Sequence, residues 1–293
     1  MSDLPPTELP DARTVDLDLR PTAELVALLL EGQRVAFDAV RDAAPSLAAA
    51  ADAVAARLSR GGRLHYVGAG TSGRLGVLDA SEMSPTFGTP AELVCAHIAG
   101  GDAALRTAVE GAEDDAVAGQ TAMHGHVSAV DAVAGLSASG NAPYVRAALE
   151  AARAAGALTI AIVNNEHAAI LAAADVSIVL PTGPEAIAGS TRMAAGTAQK
   201  LALNALSTAV MVRLGKVYGN LMVDVVASNA KLHDRALRLV AQLTGLGTSD
   251  ASRLLREAGG RVKVAVVMAR RGVGAPEASA LLARERGFLR PLL

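Results

Sequence analysis

Three short turns rich in small hydroxylated residues and two glutamates are the groups in this chain best suited to chemistry. The turns are Gly68-Ala69-Gly70-Thr71-Ser72-Gly73, Ser137-Ala138-Ser139-Gly140 and Gly189-Ser190-Thr191-Arg192-Met193, and the glutamates are Glu82 in DASEMS and Glu113 in AVEGAEDD. The first turn lacks side chains where a ligand must approach the backbone, and it runs into a helix. Free amides and the positive end of a helix dipole make such a place an anion site. Gly70, Thr71 and Ser72 together suit the oxygens of one phosphate.

The same letters satisfy GxGxxG, so a dinucleotide is an alternative ligand, and a purely structural tight turn is another. A dinucleotide fold wants an acidic residue closing its second strand. The apolar run Leu93 to His97 ends without one. No GxxxxGK[ST] lysine is present, which disfavours triphosphate hydrolysis. Phosphomonoester binding is the favoured reading. Paired carboxylates offer general acid and base catalysis. By spacing alone, however, Glu82 also reads as a helix-end surface residue, and Glu113 as part of a solvated charge run with Glu110, Asp114 and Asp115.

The elements that must position these groups follow from periodicity. Strands are predicted at Leu64 to Val67, Leu93 to His97, Ala132 to Leu136, Leu158 to Val163 and Val176 to Val179, most of them followed by an Ala-rich helical stretch. Near-continuous apolar strands alternating with helices indicate an α/β fold, a parallel sheet covered on both faces. Ligands of such sheets collect at the carboxyl ends of the strands, where the first two hydroxyl-rich turns fall. Residues 1–20 read as a flexible arm, residues 21–235 as the sheet domain opening with two helices broken near Pro45, and residues 236–293 as a small three-helix appendage. In the appendage Thr248 or Ser249 is expected to cap one helix, Val262 to Arg271 to form a second, and Pro276 to open a third.

Composition narrows the class. The 293 residues carry 51% hydrophobic side chains and a net charge of −2, which gives no general attraction for nucleic acid. Aromatic content of 2% leaves little for base stacking. The single cysteine, Cys95, excludes an internal disulfide and reads as strand packing. No apolar run suggests a membrane span, and the Pro-rich, acidic start does not resemble a secretory signal, so a cytoplasmic location is expected. Six histidines show no metal-ligand spacing, His124 and His126 in MHGHV included, and no metal or other cofactor is expected.

The segments GRLHYVGAGTSGRLGVLDASEMSPTFG, IAGGDAALRTAVEGAEDD, SASGNAPYV, GSTRMAAGTAQKLALN and KVYGNLMVDVVASNAKL, taken in order, closely resemble the N-acetylmuramic acid 6-phosphate etherases, a bacterial branch of the sugar isomerase (SIS) family. The resemblance implies a SIS fold with a five-stranded parallel sheet, a homodimer, and scission of the lactyl ether of a phosphorylated amino sugar to N-acetylglucosamine 6-phosphate and D-lactate without metal or redox cofactor. It also implies that Glu82 and Glu113 are the acid/base pair, and that Thr71, Ser72, Ser137, Ser139, Ser190 and Thr191 hold phosphate and sugar. His233 is a candidate for reaching the neighbouring subunit's site to help open the sugar ring. Two departures stand out. Asn141 and Ala194 occupy positions where the family pattern has Arg and Lys, leaving Arg192 and Lys200 as the nearby cations. A non-catalytic phosphosugar-binding regulator and an aldose-ketose isomerase of the same fold are the alternatives. A pure sensor has no need of the carboxylate pair, whereas an isomerase also requires a base beside an opened sugar, and release of lactate separates it from an etherase.

Overall fold

The computed structural model describes residues 4–225 and 230–293. The chain forms two compact units, Met1–Ala80 with Glu92–Ser207, and Ser81–Ala91 with Thr208–Leu293. This division by contact falls earlier in the chain than the composition shift at residue 236, and it assigns a short internal piece to the second unit.

Helices α1 (Thr22–Gly32), α2 (Arg34–Asp42) and α3 (Ala44–Leu58) open the first unit. Three helices replace the expected two, with breaks at Gln33 and Ala43. Pro45 sits in the first turn of α3, where its missing N–H costs nothing. Of the stretch expected to be a flexible arm, the described residues 4–20 form three short 3-10 turns (Pro6–Glu8, Ala12–Thr14 and Leu17–Leu19). Thr7 is fully buried there, and its carbonyl accepts from the Gly189 amide at 2.9 Å.

The sheet then alternates with helices: β1 (Leu64–Gly68), α4 (Gly70–Phe87), β2 (Val94–Ile98), α5 (Ala116–Met123), β3 (Ala132–Ser137), α6 (Pro143–Ala154), β4 (Leu158–Val163), β5 (Val176–Val179) and α7 (Ala194–Arg213). All five predicted strands are present, each within a residue or so of its expected bounds. They are parallel and lie in the order β2-β1-β3-β4-β5. The α5/α6 layer covers one face. It comes so close at Gly135 that an added Cβ would lie 2.8 Å from both Leu149 Cδ1 and Val145 Cγ1. On the other face α4 approaches through Gly76, whose added Cβ would meet Tyr66 Cβ at 3.0 Å and Leu136 Cδ1 at 3.1 Å.

One buried polar knot fastens that second face. Asp79 on α4 is 3% exposed and accepts from the Tyr66 hydroxyl (3.0 Å), Asn204 Nδ2 (2.9 Å) and the Ser207 hydroxyl (3.2 Å). Burial raises its pKa and the three donors oppose the rise. A buried carboxylate needs such donors, and here they tie β1, α4 and α7 together.

The second unit holds β6 (Val217–Tyr218), β7 (Leu221–Met222), α8 (Ala230–Thr244), α9 (Thr248–Glu257), α10 (Val262–Arg271) and α11 (Ala275–Arg284). The two-residue hairpin β6-β7 carries too little periodicity to be legible in the sequence. The bounds of α10 match the expectation, and Pro276 lies in the first turn of α11. Gly247 and not a hydroxyl is the N-cap of α9. The expected three-helix core is larger: α8 and the residues after β7 share it, through Val223, Val240, Leu255 and Val266. Lys263 is buried in this unit, its ammonium donating to Asp224 Oδ2 (2.7 Å) and the Gly287 carbonyl (2.8 Å). Among the described residues no helix is long and apolar enough to cross a membrane.

A histidine pair joins β1 to the edge strand β2. His65 Nδ1 and His97 Nε2 are 3.1 Å apart, their rings are stacked, and His65 is 1% exposed. Burial first, and then the neighbouring His97, pulls the His65 pKa down to about 4. A histidine in the unfolded chain titrates at about 6.5, so protonation favours unfolding: the pair's contribution is intact above about pH 6.5 and is lost as pH falls towards 4. We expect an NMR titration of His65 to give a midpoint near 4 and urea midpoints to decline from pH 7 to pH 4.5. A His65 midpoint at or above 6, or a flat stability profile, contradicts this reading.

Candidate functional site

The strand order changes direction between β2 and β3 on either side of β1, which opens a crevice at the carboxyl ends of β1 and β3. Register sets the residues at that crevice. Gly68 pairs with Leu136, so Ala69-Gly70 and Ser137 leave the sheet side by side.

The first turn is shaped by absent side chains. Gly70 has φ +52°, a left-handed conformation that favours glycine. Gly68 and Gly73 pack against one another: a Cβ on Gly73 would lie 2.7 Å from Gly68 O and 2.7 Å from Ile98 Cγ1, and one on Gly68 would lie 2.7 Å from Gly73 N. Strand and helix therefore meet backbone to backbone. In the first turn of α4 (Gly70–Phe87) the Gly73 amide donates to the Ala69 carbonyl at 3.1 Å, while the amides of Thr71 and Ser72 precede the first intrahelical bond.

The second turn is held by its own hydroxyls. Ser137 Oγ, buried, accepts from Gly140 N (3.0 Å), and Ser139 Oγ accepts from Asn141 N (3.3 Å). Asn165 Nδ2 donates to the Ser139 carbonyl at 3.1 Å. Asn141, where the family pattern has Arg, accepts from Ala169 N at 3.3 Å and so serves the loop after β4.

The third segment reaches the first. Gly196 in α7 packs so that an added Cβ would lie 3.2 Å from the Thr191 carbonyl and 3.3 Å from Thr71 Cγ2. Thr71, Ser190 and Thr191 are each half-buried. Ala194, where the family pattern has Lys, is 2% exposed. Arg192 and Lys200 are exposed, and the Lys200 ammonium donates to Asn204 Oδ1, not to a carboxylate.

The carboxylates sit differently. Glu113 is exposed in a 3-10 turn (Ala112–Asp114) beyond the carboxyl end of β2. Glu82 is exposed on α4, in the part of that helix belonging to the second unit. Neither has the apolar enclosure within its own chain that a protonated acid at neutral pH calls for. His233 is exposed near the start of α8. Cys95, expected to be buried, is only half-buried because β2 is an edge strand, and its thiol donates to the Glu92 carbonyl at 3.2 Å.

Two supports have little or no signature in the sequence. Asn164, directly after β4, donates to the Leu180 carbonyl (2.9 Å) and accepts from Gln199 Nε2 (3.1 Å), joining β4, the end of β5 and α7. Glu185, 1% exposed, accepts from the amides of Ala194 and Ala195, both at 2.9 Å. The adjacent pair Asn164-Asn165 closing an apolar strand was the one available signal; Glu185 in a Pro/Gly-rich loop gave none. A cavity of about 390 Å³ in the second unit is lined by Lys216, Asp224, Lys263 and Ser279 among others, and by no residue of the three turns. Among the described residues no group of three or more His, Cys, Asp or Glu is arranged to hold a metal ion.

Residues 46–153 match the family described as the glucokinase regulatory protein N-terminal SIS domain, and residues 112–209 match the SIS domain. The chain is 52% identical to the N-acetylmuramic acid 6-phosphate etherase of Deinococcus radiodurans, over 100% of this chain and 96% of that protein. It is 51% identical to that of Parasynechococcus marenigrum over 97% of this chain and 90% of that protein. With the Salmonella typhimurium protein of the same name the identity is 49%, over 98% and 97%.

The joint between β1 and α4 is directly testable. Gly73→Ala places a methyl against backbone and Ile98, so it should destabilise the fold by about 1–3 kcal/mol and weaken binding of inorganic phosphate followed by calorimetric titration. Unchanged stability and affinity would show that the joint has slack.

Proposed function

The chain belongs to the N-acetylmuramic acid 6-phosphate etherase family of SIS proteins, and on that premise we propose that it cleaves the D-lactyl ether of N-acetylmuramic acid 6-phosphate, giving N-acetylglucosamine 6-phosphate and D-lactate. It is a carbon–oxygen lyase. The observation that best supports the substrate is the convergence of Thr71 with the Thr191 segment at the switch point, next to the Ser137 turn. Hydroxyls and free amides there suit one phosphate.

An alkoxide leaves poorly, so direct displacement of the ether by water is unpromising. With the ring open, the hydrogen on C2 is acidified by the C1 aldehyde. One carboxylate takes that proton, the C3–O bond breaks, and the other carboxylate protonates the departing lactate oxygen. Water then adds its hydroxyl to C3 of the unsaturated aldehyde and a proton returns to C2. The sum is ether plus water, with no net oxidation. We assign the acid role to Glu82 and the base role to Glu113; His233 is placed with ring opening.

Glu82 is exposed within its own chain, and in keeping with the family resemblance we propose a cytoplasmic homodimer in which Glu82 serves the site whose phosphate cradle belongs to the other copy. Burial between copies would also supply the apolar enclosure that an acid protonated near pH 7 requires.

Glu82→Gln and Glu113→Gln should each lower lactate release by about 10² to 10⁴-fold with the fold intact; wild-type turnover in either removes that residue from the mechanism. Glu82→Gln chains mixed with Ser72→Ala chains should recover activity that neither shows alone, and no recovery after verified subunit exchange defeats the shared site. In heavy-oxygen water the label should enter the sugar; label in lactate excludes elimination and hydration.

A further inference from the structure

Two helix amino ends lie close to the three hydroxyl-bearing turns, those of α4 and α7, and by dipole alone either would attract a phosphate. The structure treats them differently. At α7 the end is already occupied. Glu185 directs one carboxylate oxygen to Ala194 N and the other to Ala195 N, both at 2.9 Å, and it is 1% exposed. Among the described residues no Lys or Arg forms an ion pair with it; its recorded partners are these two amides. A buried charge held only by backbone donors is costly to place, so the fork it makes is a demanding constraint on the chain around it.

That constraint closes a loop. Residues 186–193 are bounded by Glu185 on one side and by the amides it holds on the other. Within the loop Ser190 N donates to the Ile187 carbonyl (2.9 Å), Thr191 N to the Gly189 carbonyl (3.0 Å) and Met193 N to the Ser190 carbonyl (3.1 Å). The Thr191 carbonyl in turn accepts from Gly196 N at 2.9 Å, at the point where α7 meets Thr71. Among the described residues Ser190 and Thr191 have no hydrogen bond to the sheet; besides the bond from the neighbouring Gly189 amide to the Thr7 carbonyl, it is the anchored end of α7 that holds them.

We propose that Glu185 is a positioning residue for the phosphosugar: its carboxylate stands in for an anion at the amino end of α7, fixes Ser190 and Thr191 beside Thr71, and thereby leaves the α4 end to take the phosphate. The inference rests on the proposed binding of a sugar phosphate at these turns, not on the lyase chemistry. Glu185 touches no reacting atom in this scheme. It acts on binding, in ground state and transition state alike, and so belongs in KM more than in kcat.

Two substitutions separate geometry from charge. Glu185→Gln keeps the length and one acceptor but turns an NH2 towards a backbone N–H; Glu185→Asp keeps the charge but withdraws it by one methylene. Both should raise the dissociation constant of inorganic phosphate, measured by calorimetry below the melting temperature, by about tenfold or more, as loss of charge-assisted bonds suggests. KM for N-acetylmuramic acid 6-phosphate should rise in parallel, with kcat of lactate release within about threefold. Thermal denaturation of the same samples reports any change of stability separately. Phosphate affinity equal to or better than wild type in Glu185→Gln, or a collapse of kcat with unchanged phosphate affinity, overturns the proposal. If wild-type protein binds phosphate yet releases no lactate, the etherase reading fails while the Glu185 comparison still stands or falls on phosphate alone.

Discussion

The contact on which the rest of the first unit depends is a backbone meeting a backbone. Gly68 at the end of β1 and Gly73 in the first turn of α4 approach within a distance that no side chain on either would tolerate. This closeness aims the α4 amino end along the sheet's carboxyl edge and puts Thr71 within reach of α7. The crevice exists because β1 lies between β2 and β3, but a crevice alone has no affinity. Free amides and hydroxyls brought to it by a glycine joint are what turn topology into a place for an anion.

Around that joint the fold uses buried polar groups as fasteners, each satisfied from a different element. Asp79 gathers donors from β1 and α7, Asn164 links β4, β5 and α7, and Glu185 holds the end of α7. Apolar packing sets the layers, and it tolerates sliding and rotation of a helix by small amounts. Directional bonds from buried groups remove that freedom. All three fasteners involve α7 or its amino end, the helix that brings the third hydroxyl segment to the first.

What was legible in the sequence tracks how local its cause is. The strands were visible because a sheet covered on both faces requires unbroken apolar runs, and LTIAIV or AVAGL has no other comfortable environment. The glycine turn was visible because positive φ and close approach leave glycine in the letters. Glu185 and Asn164 were not, since a carboxylate in a loop and an amide after a strand acquire meaning only from residues far off in the chain. The amino-terminal stretch misled for a related reason: MSDLPPTELPDAR has the composition of a linker, yet Thr7 and Glu8 find their partners at Gly189. Cys95 looked buried because its neighbours are apolar, but strand order, which the letters do not encode, leaves β2 at an edge. The carboxylates were recognisable by family resemblance alone.

The amino-terminal turn has a consequence of its own. Its Thr7 carbonyl accepts from the amide of Gly189, next to Ser190, and Glu8 lies against the same glycine. Any molecule that steadies Ser190 must also steady residues 6–8, and by thermodynamic reciprocity whatever loosens residues 6–8 is felt in the grip on that molecule. A tag fused close to this turn, or a protease clipping within it, is thus coupled to occupancy of a pocket almost two hundred residues away in the chain, and shielding from digestion becomes a readout of ligand capture.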